Sequence, residues 1–186
     1  MALKATIFKA VLQIADMDRS YYQDHALTIA RHPSETDERM MMRLLAFALH
    51  ASESLSFGKG ISTDDEPDVW ERDLTGAIAT WIEIGQPDER RIRKACGRAD
   101  QVFVYSYSSS GRNVWWEQNA AALERLPNLT VVTVPSALTR ELATLANRTM
   151  QLTCTIQEGQ VWLADQQRTV LVEPEIVKAP AAPTRT

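Results

Sequence analysis

The chain of 186 residues has two cysteines, seven glycines, three histidines and a small aromatic fraction of 7%. Cys96 and Cys154 lie far apart in no metal-binding or redox spacing. Each reads as a buried small hydrophobe, which excludes a disulfide scaffold or a zinc finger and points to a reduced chain in the cytoplasm. No stretch reaches the ~18 consecutive apolar residues of a spanning helix, and the longest candidate, Met40 to Leu49, is interrupted by Arg43. The opening Met1-Ala-Leu-Lys-Ala-Thr-Ile lacks the plan of a signal peptide, so no membrane association is expected. There is no glycine-rich phosphate loop, no GxSxG and no internal repeat. His25, His32 and His50 have no ligand or triad spacing and are expected to be surface or hydrogen-bonded residues.

What is present is an ordinary globular composition, 45% apolar and 24% charged, at a length that suits one domain. The net charge of −4 is unevenly spread. Asp64, Asp65, Glu66, Asp68, Glu71 and Asp73 face Arg72 alone, and soon afterwards Arg90, Arg91, Arg93, Lys94 and Arg98 outnumber Asp88 and Glu89. An acidic cluster followed by a basic helix is either a pair of solvated surfaces or a site.

The alternation of Thr6–Ala15 and Tyr21–Ala30 predicts a long hairpin. Pro33-Ser34 opens a helix, with Ser34 and Asp37 in the spacing of a capping box. Met40-Met-Met42 on that helix reads as partly core and partly exposed. Ser54 to Pro67 reads as loop, followed by strands 68–72 and 77–85 around a turn at Asp73–Gly76. Pro87 fits the first position of a helix running to about Ala99. Strands 102–107 and 129–134 flank a helix from about Arg112 to Leu126, a βαβ pattern with parallel pairing. A helix capped by Ser136 and three short strands, 152–157, 161–164 and 169–172, complete the chain. The fold class is therefore α/β: a single domain with a mixed central sheet, and a second, antiparallel layer from the N- and C-terminal strands. Residues 1–178 form the domain and 179–186, rich in Pro and Ala, a disordered tail.

The pair of strands 68–72 and 77–85 carries the candidate chemistry. Ile78, Ile82 and Ile84 mark one face of the second strand as buried, and Trp81, Glu83 and Gly85 share the other. A four-residue hairpin loop sets Asp68 opposite Glu83, and a two-residue loop sets it diagonal to Glu83 on the same face. Either register allows two carboxylates to grip one divalent cation, whereas a three-residue loop without a bulge puts them on opposite faces. Arg91, Lys94 and Arg98 fall on one stripe of the next helix, opposite Ile92, Ala95, Cys96 and Ala99. Carboxylates holding Mg²⁺ or Mn²⁺ beside a basic helix suit phosphodiester hydrolysis, in which the metal activates water and the bases hold phosphate. The structural alternative is that Asp68 is a turn residue and Glu83 pairs with Lys94 or Arg91. Trp115-Trp116 reads as core packing.

The segments Phe57–Trp70, Trp81–Glu89 and Arg93–Ala99, together with the hairpin and Tyr105-Ser-Tyr107, closely resemble the YaeQ family of bacterial proteins over nearly the whole chain. That resemblance implies a compact variation on the PD-(D/E)XK (restriction-endonuclease-like) core, with Pro67-Asp68 and Glu83 at its acidic positions. Such nucleases ordinarily carry Lys two residues after the acid, where this chain has Gly85 followed by Gln86. Lys59 or Lys94 is then the candidate to orient water, with Gln86 as a polar helper and Arg91 and Arg98 as phosphate contacts. Glu38 resembles a further acid beside the metal, or is simply a first-turn acid complementing its helix dipole. Two functions follow as expectations: a metal-dependent nuclease on DNA or RNA, with its site intact or weakened, or a non-catalytic nuclease-fold module that binds nucleic acid or a protein partner.

Overall fold

A computed structural model describes residues 4–59, 65–107 and 114–182. The N-terminal hairpin forms as expected, β1 (Thr6–Asp16) against β2 (Tyr21–Arg31) in unbroken antiparallel register. Helix α1 (Asp37–His50) follows, then β3 (Leu55–Phe57), β4 (Val69–Arg72) and β5 (Ile78–Ile84). Helix α2 (Glu89–Cys96), β6 (Ala99–Tyr107), α3 (Val114–Leu123), β7 (Leu129–Val134) and α4 (Ser136–Ala143) come next. The chain closes with β8 (Thr149–Gln157), β9 (Gln160–Ala164), β10 (Thr169–Val172) and β11 (Glu175–Lys178).

Two sheets result. One has the order β10-β9-β8-β1-β2, the other β11-β7-β6-β5-β4-β3. In the second sheet β5, β6 and β7 run parallel, as the βαβ pattern requires, while β3, β4 and β11 add antiparallel edges. The first sheet corrects an expectation: β8 lies parallel to β1, so the second layer is mixed rather than antiparallel. The C-terminal segment also divides, because β11 leaves that layer and pairs with β7. β3 and β11 are three and four residues long, too short for a periodic signal.

Helix α1 lies between the sheets. Met40, Met41 and Met42 are all 0% exposed, which overturns the reading of a half-exposed helix. Periodicity assigns a helix one apolar face, but a helix covered on both sides needs apolar residues all round. Leu44, Leu45, Phe47 and Ala48 join Leu12, Ile29 and Leu152 of one sheet and Val69, Ile82 and Ile84 of the other in one core. A smaller core on the far side of the second sheet gathers Trp70, Trp81, Ile92, Val104, Trp115 and Leu123.

The helix ends differ from expectation by a few residues. Thr36, not Ser34, caps α1, its side chain accepting from Arg39 N at 3.2 Å. Asp88 caps α2, accepting from Arg91 N at 2.8 Å, so the helix begins at Glu89 rather than Pro87, and it stops at Cys96 because Ala99 already belongs to β6. Ser136 is the first residue of α4 and gives no side-chain cap from the Pro135 position. The start expected for α3 at Arg112 lies outside the described residues. Beyond β11, Ala181 N donates to Pro127 O at 2.8 Å.

Candidate functional site

The turn between β4 and β5 decides where the two acids stand. Asp73 N donates to Ala77 O at 2.9 Å around a loop of Leu74, Thr75 and Gly76, with Gly76 at φ +87°. A three-residue loop alone would put Asp68 and Glu83 on opposite faces. A bulge at Ala79 prevents this: Arg72 pairs with Ile78 but Glu71 with Thr80, and the shifted register continues through Trp70–Trp81 and Val69–Ile82. Asp68 N then donates to Ile82 O at 3.1 Å, placing Asp68 beside Glu83.

Both carboxylates are buried, Asp68 at 4% and Glu83 at 3% exposure, and both are engaged. Arg39, on α1, sends Nη2 to both oxygens of Asp68 (2.8 and 2.9 Å) and to Ile84 O at 3.3 Å. Ile84 N also donates to Asp68, at 2.8 Å. Glu83 Oε1 accepts from Trp81 Nε1 and Arg91 Nε, each at 2.8 Å. Burial pushes the Glu83 carboxyl above the usual glutamate range; the Asp68 charge adds to this, and Arg91 and Trp81 oppose it. The two acids therefore sense each other, yet each has its own cation. Both faces of β5 are buried, which corrects the expectation that the isoleucines alone marked the inner side.

Arg39 belongs to a chain of charges that sequence reading missed. Its Nη1 donates to Glu35 at 3.0 Å, and Arg43 grips the same carboxylate from Nε and Nη2 at 2.8 Å. Arg43 also donates to Ala30 O at 3.0 Å, and it is 1% exposed. The available signal was the four-residue spacing of Glu35, Arg39 and Arg43, from the residue before the Thr36 cap into an Arg within an apolar run of α1.

Apart from Arg91, whose Nε meets Glu83, the remaining candidates do not converge on Asp68 and Glu83. Lys94 Nζ meets Asp65 at 2.6 Å, and Lys59 Nζ lies 3.4 Å from Glu66. Gln86 Nε2 donates to Tyr107 O at 3.3 Å. Glu38 accepts from Thr139 Oγ1, on α4, at 3.4 Å. Arg91 Nη2 donates to Glu66 O at 2.9 Å, and Arg98 Nη1 to Asp65 O at 3.3 Å, with the Arg98 guanidinium 5.3 Å from the Trp81 ring. Residues 65 and 66 of the acidic cluster thus lie along the basic stripe of α2. Asp64 lies outside the described residues. Among the described residues, no three His, Cys, Asp or Glu converge in a metal-holding group, and no helix is long and apolar enough to cross a membrane.

His50 is satisfied rather than free: its Nε2 lies 2.7 Å from Tyr105 Oη, and burial lowers its pKa to about 4. Burial raises the Tyr105 phenol, and raises Cys96 to about 11 and Cys154 to about 12, so none is an activated nucleophile. Trp115 sits in the smaller core, its Nε1 donating to Pro87 O at 2.9 Å.

The family description "YaeQ protein" matches residues 1–174. The chain belongs to the YaeQ family. It is 47% identical over 173 residues to the YaeQ protein of Salmonella typhi, covering 93% of this chain and 96% of that one. With the YaeQ protein of Escherichia coli K12 it shares 46% over 172 residues, 92% and 95% of the two chains. The crystal structure of YaeQ from Xanthomonas axonopodis pv. citri superposes with a TM-score of 0.91 at 48% identity, covering 95% of this chain and 99% of that one. That from Pseudomonas syringae gives 0.90 at 36%, covering 94% and 97%. The two-sheet arrangement is thus that of solved YaeQ proteins, and the segments quoted from the sequence lie within the matched region.

Proposed function

We propose that this YaeQ protein is a nuclease-fold module that binds nucleic-acid phosphates without hydrolysing them. The succession α1, β3, β4, β5, α2, β6, with acids at the β4 start and near the β5 end, supports a PD-(D/E)XK-type core, an argument by analogy of fold. The observation that carries the non-catalytic reading is Arg39. Its Nη2 sits among Asp68 Oδ1, Asp68 Oδ2 and Ile84 O, oxygens of the kind a hard divalent cation would need. A guanidinium fixed there supplies positive charge but neither activates a water nor exchanges ligands. The residues as arranged do not fit Mg²⁺. Two positions after Glu83 stands Gly85 at φ +102°, a conformation a lysine there would adopt only with strain.

Phosphate contact would come from Lys94 and Arg98, whose side chains are 51% and 39% exposed and whose pairing with Asp65 is itself exposed to solvent and salt. The experiment is fluorescence anisotropy on single- and double-stranded DNA and RNA at several salt concentrations. Lys94→Gln with Arg98→Gln should weaken binding irrespective of sequence and flatten the duplex salt slope by nearly 2, at about 0.9 per phosphate contact. Unchanged affinity in that double variant would exclude the stripe as the contact surface.

A specific observation keeps the second reading, a Mg²⁺- or Mn²⁺-dependent nuclease: Asp68 and Glu83 are close enough that one raises the pKa of the other, a repulsion that a divalent cation relieves. Cleavage with Mn²⁺ that disappears in Asp68→Ala would establish it and end the non-catalytic proposal.

A further inference from the structure

Strand β2 is the terminal strand of its sheet, 11 residues long, with no Gly, Pro or bulge along its register and with Asp24 and Arg31 as its charged residues. The other edges of the two sheets, β10, β11 and β3, have four, four and three residues. A long regular edge is a template for another strand unless charge, Pro or a bulge spoils it.

Two hydrogen bonds fix which backbone groups face outward. Lys9 N donates to Arg148 O, away from β2, so Lys9 and its opposite residue Thr28 form a pair without mutual backbone bonds. Ala30 O, two residues on, accepts from Arg43 on the outer side. The N–H and C=O groups of Tyr22, Asp24, Ala26, Thr28 and Ala30 therefore point away from β1, and all five residues are exposed.

We propose that this edge pairs antiparallel with the β2 edge of a second copy, about a two-fold axis at Ala26, giving a continuous ten-stranded sheet. A two-fold contact must be self-complementary, and this register is. Tyr22, 64% exposed, falls opposite the small Ala30 of the second copy. Beyond that alanine in the same row lies Ile7, 44% exposed and opposite Ala30 in the β1–β2 pairing. Asp24 falls opposite Thr28 of the second copy, and the next residue in its row is the exposed Lys9, which pairs with Thr28. The apolar match and the charged match each occur twice by symmetry. Moving the axis by one residue toward the turn puts Ala26 and Val11 in that row in place of Thr28 and Lys9, and moving it by two sets Asp24 against Asp24, which like-charge repulsion disfavours. Ala30 O keeps a second lone pair beyond the one Arg43 uses.

Sedimentation equilibrium of the full chain over a wide concentration range should show a dimer. Asp24→Lys should weaken association by about tenfold or more by facing Lys9 with a like charge, and adding Lys9→Asp should restore it. Within one copy Lys9 and Asp24 lie four rows apart, so this rescue reports only a contact between copies. Ala26→Cys should form an intermolecular disulfide under mild oxidation, since opposed bonded residues have Cα atoms ~5.5 Å apart, while Thr28→Cys should not. The substituted residues are exposed, and the disulfide arm stands if a charge variant fails to fold. A chain that stays monomeric overturns the proposal, even if it captures a strand of some other protein. So does a dimer indifferent to Asp24→Lys in which Ala26→Cys crosslinks no better than Thr28→Cys.

Discussion

On the inner face of the six-stranded sheet, Ile82 and Ile84 meet α1, which a second sheet covers from behind; on the outer face, Trp81 and Glu83 meet α2 and α3, helices of eight and ten residues with no sheet behind them among the described residues. Each face buries carboxylates against arginines. Inside, Arg43 and Glu35 are both 1% exposed at the side chain, and Arg39, itself 21% exposed, links them to Asp68 beside Glu83. Outside, Glu83 is buried but Arg91 keeps 25% of its side chain exposed. The same kind of ion pair therefore carries different consequences according to its depth. A guanidinium with access to water can lose its partner and be hydrated, whereas one sealed between two sheets cannot.

The largest break in that comparison should be Glu35→Ala. It leaves Arg43 buried without a carboxylate and removes one of the two acids that hold Arg39, so urea unfolding should show a loss of about 3–5 kcal/mol. A loss under 1 kcal/mol would mean that water reaches Arg43 and that the inner layer is no more sealed than the outer.

Acid sharpens the comparison through His50, which lies on the inner side with Phe103 and Tyr105. Its folded pKa of about 4 lies below the ordinary histidine value of 6.5, so between these values the unfolded chain binds more protons. The stabilisation is therefore complete above pH 6.5 and lost as pH falls through about 4, in all of order 3 kcal/mol. His50→Gln should lose this part of the acid limb, seen by comparing unfolding free energies of the two proteins between those limits.

The smallest effect belongs to the outer face. Glu83 is raised, so the folded chain holds its proton longer, and stability falls as pH rises from the ordinary glutamate value through the raised one. Glu83→Gln should flatten that fall and change stability by about 1 kcal/mol or less at neutral pH, since it removes the penalty of the buried charge and Arg91 can turn to water. A cost as large as that of Glu35→Ala would equate the two faces.

Much of the architecture was legible because it is local. The alternation of Thr6–Ala15 and Tyr21–Ala30 marked the hairpin, and Leu129–Val134 was placed to the residue. The candidate acids were legible through motif and hairpin arithmetic, and the structure brings Asp68 and Glu83 side by side. Lys59, Gln86, Lys94 and Glu38 were chosen by residue type, but loop and helix geometry direct them to Glu66, Tyr107, Asp65 and Thr139.

The long segments Phe57–Trp70 and Trp81–Glu89 were enough to mark the family, and the order of most elements and the succession of an acidic segment and a basic helix were set by composition and by periods of 2 and 3.6 residues. Only the tertiary structure decided that β8 runs parallel to β1, that Met40–Met42 are buried on every side and that Ala79 bulges to bring the acids together. It also decided that Arg39, 29 residues before Asp68, fills the space among the oxygens of Asp68 and Ile84. These features depend on which distant surfaces meet, and no local period records that.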